Sequence, residues 1–266
     1  MLSPKFFAQR KRSMTHDIQK AGLWKRVAAG MLDGILLSVL AVGIAFLLGE
    51  ILGYDGYNAT LDERYAYYEN TYGITFQITG QEYEALSPEN QELYDQAYNA
   101  LIGDEVAMKA YNMVLNLSLL ITTGGILVAC LALEFGFPLL LGNGQTVGKK
   151  VFGLGVIRVD GVRATPLQLF IRTLLGKFTV EIMIPVYVLL MLFFNVTGLG
   201  GTLLLAALLV AQVLIMALNR NNSLIHDLLA GTVVVDVASQ MIFRSTQDLI
   251  DYKKKISREQ SDRQSY

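Results

Sequence analysis

The ionisable residues that interrupt this chain's apolar stretches are the ones with chemistry to offer. Arg26 and Asp33 stand in "KRVAAGMLDGILL", among residues typical of a lipid-facing helix. Further on, "SLIHDLLAGTVVVD" places His226 beside Asp227 soon after another apolar run. Glu134, four residues before Pro138, and Glu181 are weaker members of the same set, since either can lie at a membrane surface and be solvated. A carboxylate near the middle of an inserted helix costs about 2.5–3.5 kcal/mol, so it needs a partner, a proton or a water-filled space. Burial and a neighbouring guanidinium push a carboxylate's proton affinity in opposite directions, so such a cluster can be poised to exchange protons. The same groups can also simply pin helices together as buried ion pairs.

Spacing narrows the pairings. Arg26 and Asp33 are seven residues apart, nearly two turns, so they share a helix face about 10 Å apart along the axis. Arg26 can fold back as a partner for Asp33, or merely mark the inner membrane surface. Gly30, Gly34 and Ser38 continue the stripe that starts at Arg26, and such small residues let a neighbouring helix come close. Adjacent helical residues do not share a face, so His226 and Asp227 are expected to act separately. Asp227 then turns toward Arg26 or an amide-rich pocket, and His226 reads as interfacial. Ser223 is placed to cap their helix and Gly231 to end it.

Motifs for enzyme chemistry fail on inspection. In "GNGQTVGKK" the glycine spacings are wrong for a phosphate loop and Lys150 stands where a hydroxyl residue belongs. "GLGVIR" puts Arg158 at the third glycine of a dinucleotide fingerprint. No Gly-x-Ser-x-Gly elbow occurs, and two histidines with the single Cys130 make a zinc site of the usual kind a poor fit. The expectation is no enzyme, no cofactor, no resident metal and no nucleic-acid partner.

The elements that must position these residues are membrane helices. Of 266 residues, 53% are hydrophobic and 17% charged, against about 25% charged in soluble domains; mean hydropathy is +0.40. Four runs reach the roughly 20 residues that span a bilayer core: 27–53, 113–142, 178–196 and 200–218, the last two joined by a short Gly-rich turn. The stretch before residue 27 holds seven Lys/Arg: Lys5, Arg10, Lys11, Arg12, Lys20, Lys25 and Arg26. Residues 54–112 hold two against eleven Asp/Glu, residues 143–177 hold six against one, and the tail after 218 holds seven. By the positive-inside rule both termini are cytoplasmic.

That divides the chain into a basic arm (1–26), a membrane domain (27–237) interrupted by an acidic insert (54–112), and a polar tail (238–266). The insert carries ten of thirteen tyrosines and the helix start "SPEN", with Ser87 as cap and Pro88 in the first turn. It reads as a small extracytoplasmic helical hairpin, a surface for a protein partner or a collector of cations. In the inner connection, "QTVGKKVFGL" suits a short amphipathic helix at the lipid headgroups. "GVIRVDGVRAT" turns at Asp160-Gly161 as a hairpin, and "TVVVDV" can join it in a small cytoplasmic sheet. "TPLQLFIRTLLGK" starts a helix at the Thr165 cap and leads into the third span. Its apolar Leu167, Phe170, Ile171, Leu174 and Leu175 share a side, with Arg172 and Lys177 in the polar remainder. The fold class is thus all-α membrane protein with four spans, an amphipathic interfacial helix and a small β element.

Three stretches taken in order resemble one family. "GLWKRVAAGMLDGILL" has Arg-x6-Asp, "GQTVGKKVFGLGVIRVDG" has Gly-Gln-Thr-x-Gly-Lys, and "SLIHDLLAGTVVV" closes the last membrane segment. Together they resemble the RDD family of bacterial and archaeal membrane proteins, over residues 21–53 and 113–237. The resemblance places the family's Arg on Arg26 and its two Asp on Asp33 and Asp227. It also marks the connection residues Gly144, Gln145, Thr146, Gly148 and Lys149. It implies a small multi-pass protein of the cell membrane, with cation/proton antiport proposed for some members. The resulting expectation is a homo-oligomeric transporter of monovalent cations and protons using Arg26, Asp33 and Asp227. The alternative is an assembly, lipid-handling or sensing protein whose insert is the working surface.

Overall fold

A computed structural model describes residue 18 and residues 21–193, 198–218 and 223–264. Lys5, Arg10, Lys11, Arg12 and Lys20 of the basic arm, and residues 194–197 at the end of the expected third span, lie outside the described residues. In chain order the elements are α1 (Leu23–Leu52), α2 (Tyr54–Tyr72), α3 (Gly80–Glu84), α4 (Pro88–Gly103) and α5 (Glu105–Leu141). They continue with α6 (Val147–Val151), β1 (Leu154–Arg158), α7 (Pro166–Leu192), α8 (Gly198–Leu218), α9 (Ile225–Ala230), β2 (Thr232–Asp236) and α10 (Thr246–Gln264). Among them α1, α5, α7 and α8 are long and apolar enough to cross a membrane.

All four start earlier than hydropathy places them, α5 and α7 by the most. Asp104 begins α5, its Oδ1 accepting from the N–H of Val106 (2.8 Å) and Ala107 (3.2 Å). α7 begins at the Thr165 cap, where Thr165 and Gln168 exchange side-chain-to-backbone hydrogen bonds, and runs on without a break. Its polarity is inverted relative to a soluble helix. Arg172, Thr173 and Gly176 are buried, whereas Leu167 and Leu175 are exposed. The expected apolar side therefore faces outward, because hydrocarbon rather than a protein core is the solvent for it.

Both α5 and α7 widen to π-helix, at Leu131–Gly136 and Arg172–Met183. Pro138 has no N–H to give the carbonyl of Glu134 four residues back, and Thr173 Oγ1 donates to it instead at 2.9 Å. In α7 the wide turn is marked by Thr179 Oγ1 donating to the Leu174 carbonyl, five residues back, at 2.8 Å.

The residues form two compact units, Met1–Val39 with Leu127–Tyr266, and Leu40–Ile126. In the first, β1 pairs antiparallel with β2, Val156 opposite Val234. The hairpin expected around Asp160-Gly161 is only half realised: its return arm touches β1 at the bridge Ile157–Arg163, with Val162 bridging to Phe243, while β2 pairs along the other edge of β1. Leu154, Val156 and Val234 pack with Ala21, Ala29 and Leu169, while Ile157, Val233 and Val235 form the other face.

In the second unit α2 packs on α4. Tyr65, Phe76, Tyr94 and Tyr83 form an edge-to-face chain with centroids 5.2–5.7 Å apart. Ser87 caps α4 by accepting from the Asn90 N–H, with Pro88 in the first turn.

Candidate functional site

The connection before β1 is built to reach into α1. Gly144 has φ +61°, and a Cβ there would lie 2.8 Å from Val156 Cβ, so only glycine fits against β1. Gln145 Nε2 donates to the Leu154 carbonyl at 2.7 Å, tying the loop to the strand. Thr146 caps α6, accepting from the Lys149 N–H at 3.3 Å. A Cβ at Gly148 would lie 2.4 Å from the Ala29 carbonyl oxygen, so glycine is what lets α6 touch α1.

At that contact sits Asp33, 5% exposed. It accepts from Thr146 Oγ1 (2.5 Å) and the Gly148 N–H (2.7 Å), and pairs with Lys149 Nζ at 3.4 Å. Lys149 also donates to Thr146 Oγ1 at 3.1 Å. The cation for Asp33 is therefore Lys149 and not Arg26. In α6 Gly148 and Lys149 are buried, while Lys150 and Val151 are exposed. Burial, chiefly, lowers the Lys149 ammonium to about 8, with Glu134 acting against the shift.

Arg26 reaches across the sequence to Asp227, Nη2 to Oδ2 at 3.0 Å. Asp227 is fully buried and also meets Arg172 Nε through Oδ1 at 3.1 Å, with Thr232 Oγ1 at 3.3 Å. Burial pushes its carboxyl up, but Arg172 and the other charges around it outweigh that and hold it well below the usual carboxylate range.

His226 is not an interfacial residue separate from Asp227. It is 5% exposed, because a Cβ at Gly176 would lie 2.5 Å from its Cα and the missing side chain lets α9 close onto α7. Arg172 Nη2 lies 2.8 Å from His226 Nε2, and a guanidinium can only donate, so Nε2 accepts and the proton is on Nδ1. Nδ1–H then donates to Glu181 Oε2 at 2.6 Å, and the His226 backbone N–H to Oε1 at 3.1 Å. Burial first, and Arg172 next, push the imidazole below its ordinary value.

Arg172 thus joins His226 and Asp227 into one unit, and His226 Nε2 itself lies 3.7 Å from Asp227 Oδ2. α9 is capped at Leu224 without a side-chain bond, so Ser223 does not serve as its cap, while Gly231 ends it with φ +62°.

Glu134, 2% exposed, pairs with Lys177. Among the described residues, four acids (Asp33, Glu134, Glu181, Asp227) therefore face four cations (Arg26, Lys149, Arg172, Lys177), a formally neutral set when His226 is neutral. A cavity of about 260 Å³ opens against it, walled in part by Arg26, Lys149, Arg172, Lys177, Glu181 and His226.

The RDD family model matches residues 20–231 of this chain. The chain belongs to the RDD family. No curated protein and no solved structure gives a match.

In this RDD protein, Arg26 and Asp227 meet directly, while Asp33 is the centre of a second pair. Gly30, Gly34 and Ser38 are exposed, and a Cβ on either glycine would meet nothing within 4 Å. The close approaches are at Gly148 and Gly176 instead. Arg172 and Lys177 are the partners that sequence reading passed over. Their signal was Arg172, the adjacent pair Gly176-Lys177 and Glu181, four to five residues apart from one group to the next along a largely apolar helix.

Proposed function

We propose that this RDD protein is a small transporter of the cell membrane that exchanges monovalent cations for protons at the Asp33–Lys149 pair. The observation that carries the reading is that Lys149, on the cavity wall, covers a buried carboxylate behind it. Lys149 acts as a tethered cation. When its ammonium gives up a proton to cavity water, Asp33 is left with the Thr146 hydroxyl and the Gly148 N–H, and a monovalent cation from the cavity takes the vacated position. One charge leaves and one enters, so the cluster stays neutral through the cycle. Its proton affinity near pH 8 suits that exchange.

The asymmetry of basic residues supports both termini facing the cytoplasm, with α6 and the start of α7 near the inner headgroups. Four spans make a thin bundle, and the exposed small residues Gly34 and Ser38 suit a second copy of the chain, so a homo-oligomer is part of the proposal.

The test is purified protein in liposomes, with internal pH followed as Na⁺, Li⁺ or K⁺ is added outside. Cation-dependent proton movement is expected, and Asp33→Asn abolishes it. Lys149→Arg is the sharper variant, since arginine keeps the pair but does not release its proton; it is expected to stay folded and be inactive. Well-folded wild type without cation-dependent flux ends the proposal.

A second reading, an assembly, lipid-handling or sensing role, is favoured by the aromatic core that gives the 54–112 region a folded body of its own. It requires that deleting residues 55–108 removes function while exchange in liposomes is absent.

A further inference from the structure

The cavity wall and its backing carry opposite charges. Four of the lining side chains are cations drawn from α1, α6 and α7, whereas Asp33, Glu134 and Asp227, which neutralise them, do not line it. Glu181 does, but both its oxygens are occupied by His226, one by the backbone N–H and one by Nδ1–H. A molecule entering this space meets donors first and carboxylates only behind them.

Arg172 has five N–H groups; its bonds to Asp227 and His226 use Nε and Nη2, and among the described residues Nη1 has no protein partner. Lys177 has three N–H groups and one carboxylate partner, Glu134. Lys149 has three and uses two, on Asp33 and Thr146. These donors converge from separate elements on one space, which suits an acceptor with several oxygens at tetrahedral angles better than a halide or a single carboxylate. The remaining wall is apolar, with Val27, Leu154, Leu224 and Val234, so an organic substituent on the anion is accommodated as well.

We propose that this cavity binds a phosphate group, held by Arg172, Lys177 and Lys149 with Arg26 at its edge. The group is either free inorganic phosphate or the phosphate of a lipid headgroup. This is a binding claim and stands apart from cation exchange: it is read without any flux, so either idea can fail alone.

The experiment is thermal unfolding of the purified full chain in detergent. One arm titrates inorganic phosphate against chloride at matched ionic strength. The other titrates short-chain phosphatidic acid against the diacylglycerol of the same tails. Saturable stabilisation in the first arm alone identifies free phosphate, and in the second alone a lipid headgroup.

Two variants locate the effect. Gly30→Leu fills the cavity from a position where a Cβ meets nothing within 4 Å, leaving every charge in place. The paired change Lys177→Gln with Glu134→Gln replaces one cationic donor by a neutral amide without unbalancing the cluster. Each is expected to weaken the response roughly tenfold or more, the effect of losing about 1.4 kcal/mol of binding, while melting near wild type without ligand. Failure of both arms on folded wild type overturns the proposal. So does equal response to chloride or diacylglycerol, and so does a response that folded Gly30→Leu retains in full.

Discussion

Asp227→Asn tests the centre of the site with the smallest change of shape. The carboxylate is fully buried, and its two oxygens take Arg26 at 3.0 Å and Arg172 at 3.1 Å. An amide keeps the volume but leaves two guanidiniums without their counter-charge. Removing one partner of a buried ion pair costs about 3–5 kcal/mol, because the remaining charge stays desolvated. At about 2–4 °C per kcal/mol for a chain somewhat shorter than this one, the melting temperature falls by about 6–20 °C.

Two single variants rank the contributions. Arg26→Met leaves Asp227 with Arg172 and Thr232, whereas Arg172→Met also strips the acceptor His226 Nε2 of its donor. Arg172→Met is therefore the more damaging. Unfolding followed by tryptophan-independent dye fluorescence or by size-exclusion chromatography after heating reads all three. If Asp227→Asn melts within about 2 °C of wild type, or if Arg26→Met costs more than Arg172→Met, the buried-pair reasoning is wrong.

Three further outcomes follow from individual contacts. His226 has a folded pKa below its unfolded value of about 6.5, so the unfolded chain binds the proton more readily. Stability is full above that pH and is lost as pH falls below it; melting curves from pH 8 down to 5 should show the loss, and His226→Gln should flatten it. Gly148→Ala forces α6 away from α1, since its Cβ would lie 2.4 Å from the Ala29 carbonyl oxygen; a cost of about 1–3 kcal/mol in thermal unfolding is expected, together with loss of exchange. Ser87→Ala removes the cap of α4 and should cost about 1 kcal/mol, seen as faster amide exchange at 88–103 with cation-dependent proton movement unchanged.

Much of this protein is readable along the chain because a bilayer imposes one-dimensional rules. Helices must be long and apolar to satisfy their backbones in lipid, so all four spans stand out by composition. Caps such as Thr165 and Ser87 are local events, bonding within three residues, and they too are legible. Arg26 and Asp33 declare themselves because a charge in an apolar span is costly, and Asp227 because it follows such a span closely.

Which charge meets which was settled only by the fold. Arg26 and Asp33 share a face of α1, yet the space between partners is filled by α6, which reaches Asp33 because Gly148 has no side chain. Lys149 lies in a segment that reads as an interfacial helix, yet its partner is a buried carboxylate 116 residues away in sequence. Arg172 looked like the polar edge of an amphipathic helix, but lipid outside and charge inside reverse that assignment. Pairing across such separations depends on the tertiary approach of α6 and α9 to the long helices. Single residue types name the participants; close contact at two glycines decides the partners.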